Sequence, residues 1–262
     1  MKKFSLVMFG RIPLLAALSL AAVFSAGAAS SSLNPTLDAF VTTGATGNLV
    51  NSNYGGAGAL SVAARGSAQG EFQSVLQFNL AGAKSSFDSQ FGAGQWSLQS
   101  VTLQFTAIAP NNAIFNNTAA GLFALSWMQN DTWTEGTGTP IAPGATGIMF
   151  STISNFVSAA DEALGTFSFN GATSGAATYA LALTPSFSAD ILSGNAVSLR
   201  MYAADSAVSY LFDSRSFGTT SARPVLTVNA VPEPGTVGLA GVGLGLAAWR
   251  RYAVRRRGRL AR

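Results

Sequence analysis

In residues 101–107, Val101, Leu103, Phe105 and Ala107 take every second position, and Thr102, Gln104 and Thr106 lie between them. The same alternation runs through residues 72–80, where Phe72, Ser74, Leu76, Phe78 and Leu80 share a face opposite Gln73, Val75, Gln77 and Asn79. Tyr179, Leu181 and Leu183 repeat it, as do Val197, Leu199 and Met201. Period two with one apolar face describes a half-buried strand and is incompatible with a helix. Further strands are expected at 37–43, 59–64, 122–129, 147–150, 164–169, 208–212 and 224–228. Gly, Asn, Ser and Thr fill the gaps, notably at 85–94, 111–118, 137–146 and 171–175, which are expected to be surface loops. Many short antiparallel strands with polar turns predict an all-β sandwich. One short helix is expected: Thr184 as N-cap, Pro185 at the first helical position, Phe187 and Ile191 on one face, and Gly194 closing the C-terminus.

Both ends of the chain break the pattern. Lys2, Lys3 and Arg11 precede an apolar stretch from Ile12 to Phe24, and Ala26-Gly27-Ala28 follows. A basic start, an apolar core and an A-x-A site make a secretory signal peptide over residues 1–28, cut between Ala28 and Ala29. At the other end, Pro232-Glu233-Pro234 precedes an uncharged run from Gly235 to Trp249 and a cluster of arginines. The two prolines lock φ and remove two amide donors, so this tripeptide stays extended and accessible. As a helix the fifteen residues 235–249 span about 22 Å against a hydrocarbon core of about 30 Å. With snorkelling arginines that is enough for a short transmembrane segment, its basic end on the cytoplasmic side.

The charges follow these divisions. Ten of the fifteen Lys and Arg residues lie in the two end segments. The middle keeps five cations against ten acids, a formal charge of −5. The alkaline isoelectric point therefore reports targeting, and a basic surface for nucleic acid is excluded. Cysteine and histidine are absent, which removes disulfides, thiol chemistry, imidazole ligands and any Ser-His-Asp triad.

The tail from Val231 to about Arg257 resembles the PEP-CTERM sorting signal of Gram-negative bacteria, with tripeptide, apolar run and arginines in order. The resemblance implies an exosortase, a membrane-embedded processing enzyme that acts near Pro232, Glu233 and Pro234, and a host that makes exopolysaccharide. It divides the chain into a signal peptide (1–28), a body (29–230) and a sorting tail (231–262).

The body has its own short motifs. They are Asp38-Ala39-Phe40-Val41, Asn53-Tyr54-Gly55, Leu76-Gln77-Phe78-Asn79-Leu80, Asp131-Thr132-Trp133-Thr134-Glu135-Gly136, Phe212-Asp213-Ser214-Arg215 and Arg223-Pro224-Val225-Leu226. In this order they resemble the DNRLRE domain, a bacterial jelly-roll module related to a carbohydrate-binding family. The resemblance implies a jelly-roll-like extracellular β-sandwich, and it does not imply catalysis. Typical members carry Arg-Glu where this chain has Arg215-Ser216, so no role of that glutamate carries over.

Three groups of side chains bear on chemistry. Trp133, beside Asp131 and Glu135, would suit a glycan contact, since aromatic faces stack on sugar rings; the alternative for Trp133 is packing, and Trp127, in phase with Phe123 and Leu125, is expected in the core. Asp131 and Glu135 are also the best pair for a two-carboxylate hydrolase. Asp38, Asp205 and Asp213 are the acids that would hold a structural Ca²⁺, which needs six to eight oxygens; otherwise no cofactor is expected. The expected function is that of a non-enzymatic exported protein at the cell surface or in the extracellular matrix. It would be anchored as a precursor in the inner membrane, handled by signal peptidase and exosortase, and associated with exopolysaccharide, biofilm or adhesion. The alternative is a polysaccharide hydrolase or lyase using Asp131 and Glu135.

Overall fold

The computed structural model describes residues 27–108, 121–169 and 175–233. The apolar core of the signal peptide, the run 235–249 with Pro234, and most of the expected loops 111–118 and 171–175 lie outside the described residues. Among the described residues no helix is long and apolar enough to cross a membrane.

The chain from Ala28 to Val231 forms one compact unit. Its described residues contain eleven strands: β1 (Ala29–Leu33), β2 (Leu37–Thr42), β3 (Ala59–Ala63), β4 (Phe72–Asn79), β5 (Trp96–Ala107), β6 (Leu122–Met128), β7 (Glu162–Ser168), β8 (Gly175–Leu181), β9 (Ala196–Ala203), β10 (Ser209–Asp213) and β11 (Val225–Pro232). They form one continuous sheet in the order β1-β11-β5-β10-β3-β4-β9-β6-β7, with β2 added beside β4 and β8 beside β5. The pairings with a defined register are antiparallel. The mostly-β expectation holds, but the expected pair of separate sheets is one sheet bent back on itself. Strands distant in its order meet across the interior. Phe123 of β6 meets Tyr179 of β8 edge to face at 5.2 Å, and the N–H of Ala182, just past β8, donates to the carbonyl of Leu164 in β7 at 2.9 Å. Curling brings the apolar faces of β3–β11 into one core rich in Phe and Tyr.

The alternation predicts one buried face on β4, yet both faces are buried: Gln73 and Val75 are covered as well as Leu76 and Phe78. The cover is the segment after β6. Trp133, Ile148 and Ile153 from that segment pack on Ala39, Val41, Val75 and Met128 to form a second core on the outer side of the sheet. The strand expected at 147–150 is instead part of this irregular cover.

Among the described residues the body has two α-helices where one was expected. Helix α1 (Ala81–Phe91) occupies most of the expected loop 85–94. Only Ala83 and Phe87 of α1 are buried, so its amphipathic signal is weak. Its legible traces are pairs at i and i+4: Ala83 with Phe87 in the core, and Lys84 with Asp88 as an ion pair. Helix α2 (Pro185–Ser193) stands where the sequence places it, with Pro185 in the first turn and Gly194 left-handed at φ 73°.

Candidate functional site

The Asp131–Gly136 motif lies in the irregular segment that covers the second core. Its central side chain, Trp133, is 2% exposed. The indole packs into that core and its Nε1–H donates to Ser198 Oγ at 2.9 Å. The ring therefore presents no stacking face to a sugar, and the expected glycan contact at Trp133 gives way to packing. Trp127, 5% exposed, is likewise core, with its Nε1–H donating to Asp190.

Glu135 turns toward Arg215, whose Nε–H donates to Oε1 at 2.7 Å and whose Nη2 closes the ion pair on Oε2. The same Oε1 accepts the backbone N–H of Asp38, and Asp38 Oδ2 accepts the backbone N–H of Arg215 at 2.6 Å. A planar guanidinium held by two bonds to one carboxylate is a fixed joint. Asn53 makes a second joint. Its Nδ2 donates to the carbonyls of Glu135 and Ile148, and its Oδ1 accepts from the N–H groups of Gly55 and Gly138. Close approach explains the glycines there. A Cβ on Gly138 would stand 1.9 Å from the Asn53 carbonyl oxygen, and Gly136 sits at φ +76° with no room for one. Four motifs scattered along the sequence, at residues 38, 53–55, 131–136 and 212–215, thus converge on one knot that straps the covering segment to the sheet. The sequence offers Arg215 as a partner for acids in a structural network and Asn53 only as a member of a motif; which groups they meet depends on partners some 80 residues away.

Asp131 does not join Glu135. Gln77 Nε2–H donates to its backbone carbonyl, while its Oδ1 is buried without a hydrogen-bond partner. Burial raises the Asp131 pKa, against opposing hydrogen bonds from Ser198. Glu135 is tied instead to Asp38 of β2 and to Arg215, while Asp131 is held by Gln77 of β4 and by Ser198.

The acids proposed for calcium serve separate ends. Asp205 accepts the N–H groups of Leu122, Ala207 and Val208 and so shapes a turn. Asp38 belongs to the knot. Burial pushes its carboxyl up to about 7, against the hydrogen bond from Arg215. Asp213 is 3% exposed and its Oδ1 has no partner; burial pushes it up to about 6. Among the described residues no three acidic side chains converge on a metal position, and Asp38, Asp205 and Asp213 are not brought together.

The first and last strands of the body, β1 and β11, lie side by side in the ladder. Ala28 is exposed and Ala29 opens β1, whose partner across the ladder is Ala230 of β11. Strand β11 runs on through Val231 to Pro232, and Glu233 is exposed. No curated protein matches the chain. The family model that matches describes a protein-sorting motif and covers residues 230–257, beginning inside β11 at the residue paired with Ala29. The chain therefore carries a PEP-CTERM protein-sorting motif, the tail of an exported protein sorted through an exosortase.

Proposed function

We propose that this is a non-enzymatic protein of the cell surface or extracellular matrix. Signal peptidase cuts it between Ala28 and Ala29, an exosortase acts at Pro232, Glu233 and Pro234, and the body associates with exopolysaccharide or supports adhesion. The observation that carries this reading is continuity. The matched sorting motif starts within the last strand of the body, so the whole folded unit is the cargo. The uses of the body's acids support a non-enzymatic role. Glu135 holds Arg215, Asp190 holds Trp127, Asp88 holds Lys84 and Trp96, and Glu162 holds the start of α2. The convergence of the DNRLRE-like motifs on one knot supports a jelly-roll-like module related to that family.

Intact-mass measurement on extracellular material is the direct test. The expected species starts at Ala29 and lacks the arginine-rich end. In cells without exosortase the tail should persist. Recovery of extracellular protein that still carries Arg262 would end the sorting assignment. Reducing-sugar release from a panel of bacterial polysaccharides would instead establish the hydrolase alternative.

A further inference from the structure

The segment that covers the outer side of the sheet leaves part of β4 and β9 uncovered. There a cleft of about 500 Å³ lies between the sheet and the wall made by Phe150 and Val157. Arg65, Glu71, Gln73 and Arg200 also line it. A second, adjoining hollow shares Arg65 and Glu71 and runs on toward Asp205, so the two make a trough rather than a closed hole.

The polar groups of the cleft are held in a chain. Arg65 Nε–H donates to Glu71 Oε2 at 3.3 Å, Gln73 Nε2–H to Glu71 Oε1 at 2.7 Å, and Arg200 Nε–H to Gln73 Oε1 at 2.9 Å. Gln73 is 6% exposed, so this amide is a fixed bridge. The Arg200 guanidinium also lies 4.6 Å from the centre of the Tyr202 ring. It is therefore oriented through Nε and its flat face, and among the described residues no carboxylate forms an ion pair with it. An arginine positioned by neutral neighbours, with its outer nitrogens left over, is arranged to donate to a ligand.

The charge of the site selects the ligand. Arg65 and Arg200 are balanced by Glu71 and by Asp161, which acts on Arg200 through space. Asp205 lies at the far end, and the body as a whole carries −5. A polyanion gains little here. A neutral sugar fits better. Its hydroxyls both donate and accept, matching fixed donors on the arginines and acceptors on Glu71, while its C–H face packs on Phe150 and Val157.

We infer that this trough binds a segment of neutral, hydroxyl-rich polysaccharide, with Arg200 as the central donor and Phe150 and Val157 as the apolar wall. The inference rests on the polysaccharide association proposed above and names its site and ligand class.

The test is retardation of the full exported protein in gels containing dextran, a soluble neutral β-glucan, polygalacturonate or polyglutamate. Retention by at least one neutral glucan, little changed by added salt, is expected. Arg200→Lys keeps the charge and loses the fork, and should weaken retention roughly tenfold, as should Arg65→Ala to a smaller degree. Arg65 is almost fully exposed, so its loss leaves the fold intact, and thermal denaturation of both variants separates binding from unfolding. Unchanged retention in both variants would move the glycan to another face, leaving the association itself standing. Retention by polygalacturonate or polyglutamate alone, abolished by salt, would replace the neutral ligand with an anion. Failure to bind any of the four polymers would sink the site and the polysaccharide association together.

Discussion

Trp133 shows how far a residue's chemistry depends on what surrounds it. In sequence it has neighbours typical of a sugar platform: acids, an amide and a polar turn. In the fold its indole fills the second core and its one polar atom is bound by Ser198. Truncation leaves a cavity and takes one donor from the Ser198 hydroxyl, which keeps that of Gln77. Trp133→Ala should cost about 3–5 kcal/mol in denaturant unfolding. Trp133→Phe keeps most of the volume and should cost clearly less, with glycan retention unchanged wherever the variant is folded. A stable Trp133→Ala protein that has lost only retention would return the residue to a binding role. The alternation rule identified Trp127 as core because its phase is set by its own strand. Trp133 lies in irregular backbone, where periodicity has no purchase, so its burial was not legible.

At the scale of elements, α2 is the instructive case. Its position, its first-turn proline and its glycine stop are all local features, and all were legible. Its cap was not. Thr184 makes no side-chain cap bond. It donates its hydroxyl to Glu162 of β7 instead, and the Glu162 carboxylate accepts the N–H groups of Ser186 and Phe187. A carboxylate at this end satisfies two free amide donors and opposes the helix dipole. Burial works against its ionisation, but these hydrogen bonds outweigh it and hold Glu162 at about 2. Glu162→Gln should therefore lower stability at neutral pH by about 1 kcal/mol. It should also raise hydrogen exchange at Ser186 and Phe187 before the rest of the body responds. Exchange at those two amides equal to wild type would refute the cap. Helix α1 was missed for the opposite reason. It buries only two side chains and owes its form to packing on Trp96, whose Nε1–H is held by Asp88.

The whole molecule should show an unusual response to pH. Asp38 at about 7 and Asp213 at about 6 both lie above their ordinary value of 3.8. Between those limits the folded protein holds protons that the unfolded chain has released, so stability falls as pH rises. Glu162 has the reverse sign. Its folded value lies below its ordinary 4.5, so its contribution is full above that value and is lost as pH falls toward 2. Tm should be highest between about pH 4 and 5 and decline toward pH 8. Asp213→Asn removes this titration and should flatten the part of the decline between about pH 4 and 6. A Tm maximum at neutral pH would contradict these assignments.

The sequence alone determined what is local: the period-two strands, the start and stop of α2, and above all the C-terminal sorting motif. That motif acts as linear order, a proline tripeptide before apolar residues and arginines. It needs no partner elsewhere in the chain, and the family match at residues 230–257 rests on that same linear order. Tertiary structure decided everything that depends on distant partners. It bent one sheet into a closed core and buried the second face of β4 under the segment after β6. It also joined Asn53, Glu135 and Arg215 in a strap, and set Arg200 beside Gln73 across 127 residues of chain. The physical reason is that a polar side chain's role is set by which donor or acceptor reaches it, and the curl of the sheet, not neighbourhood in sequence, makes those introductions.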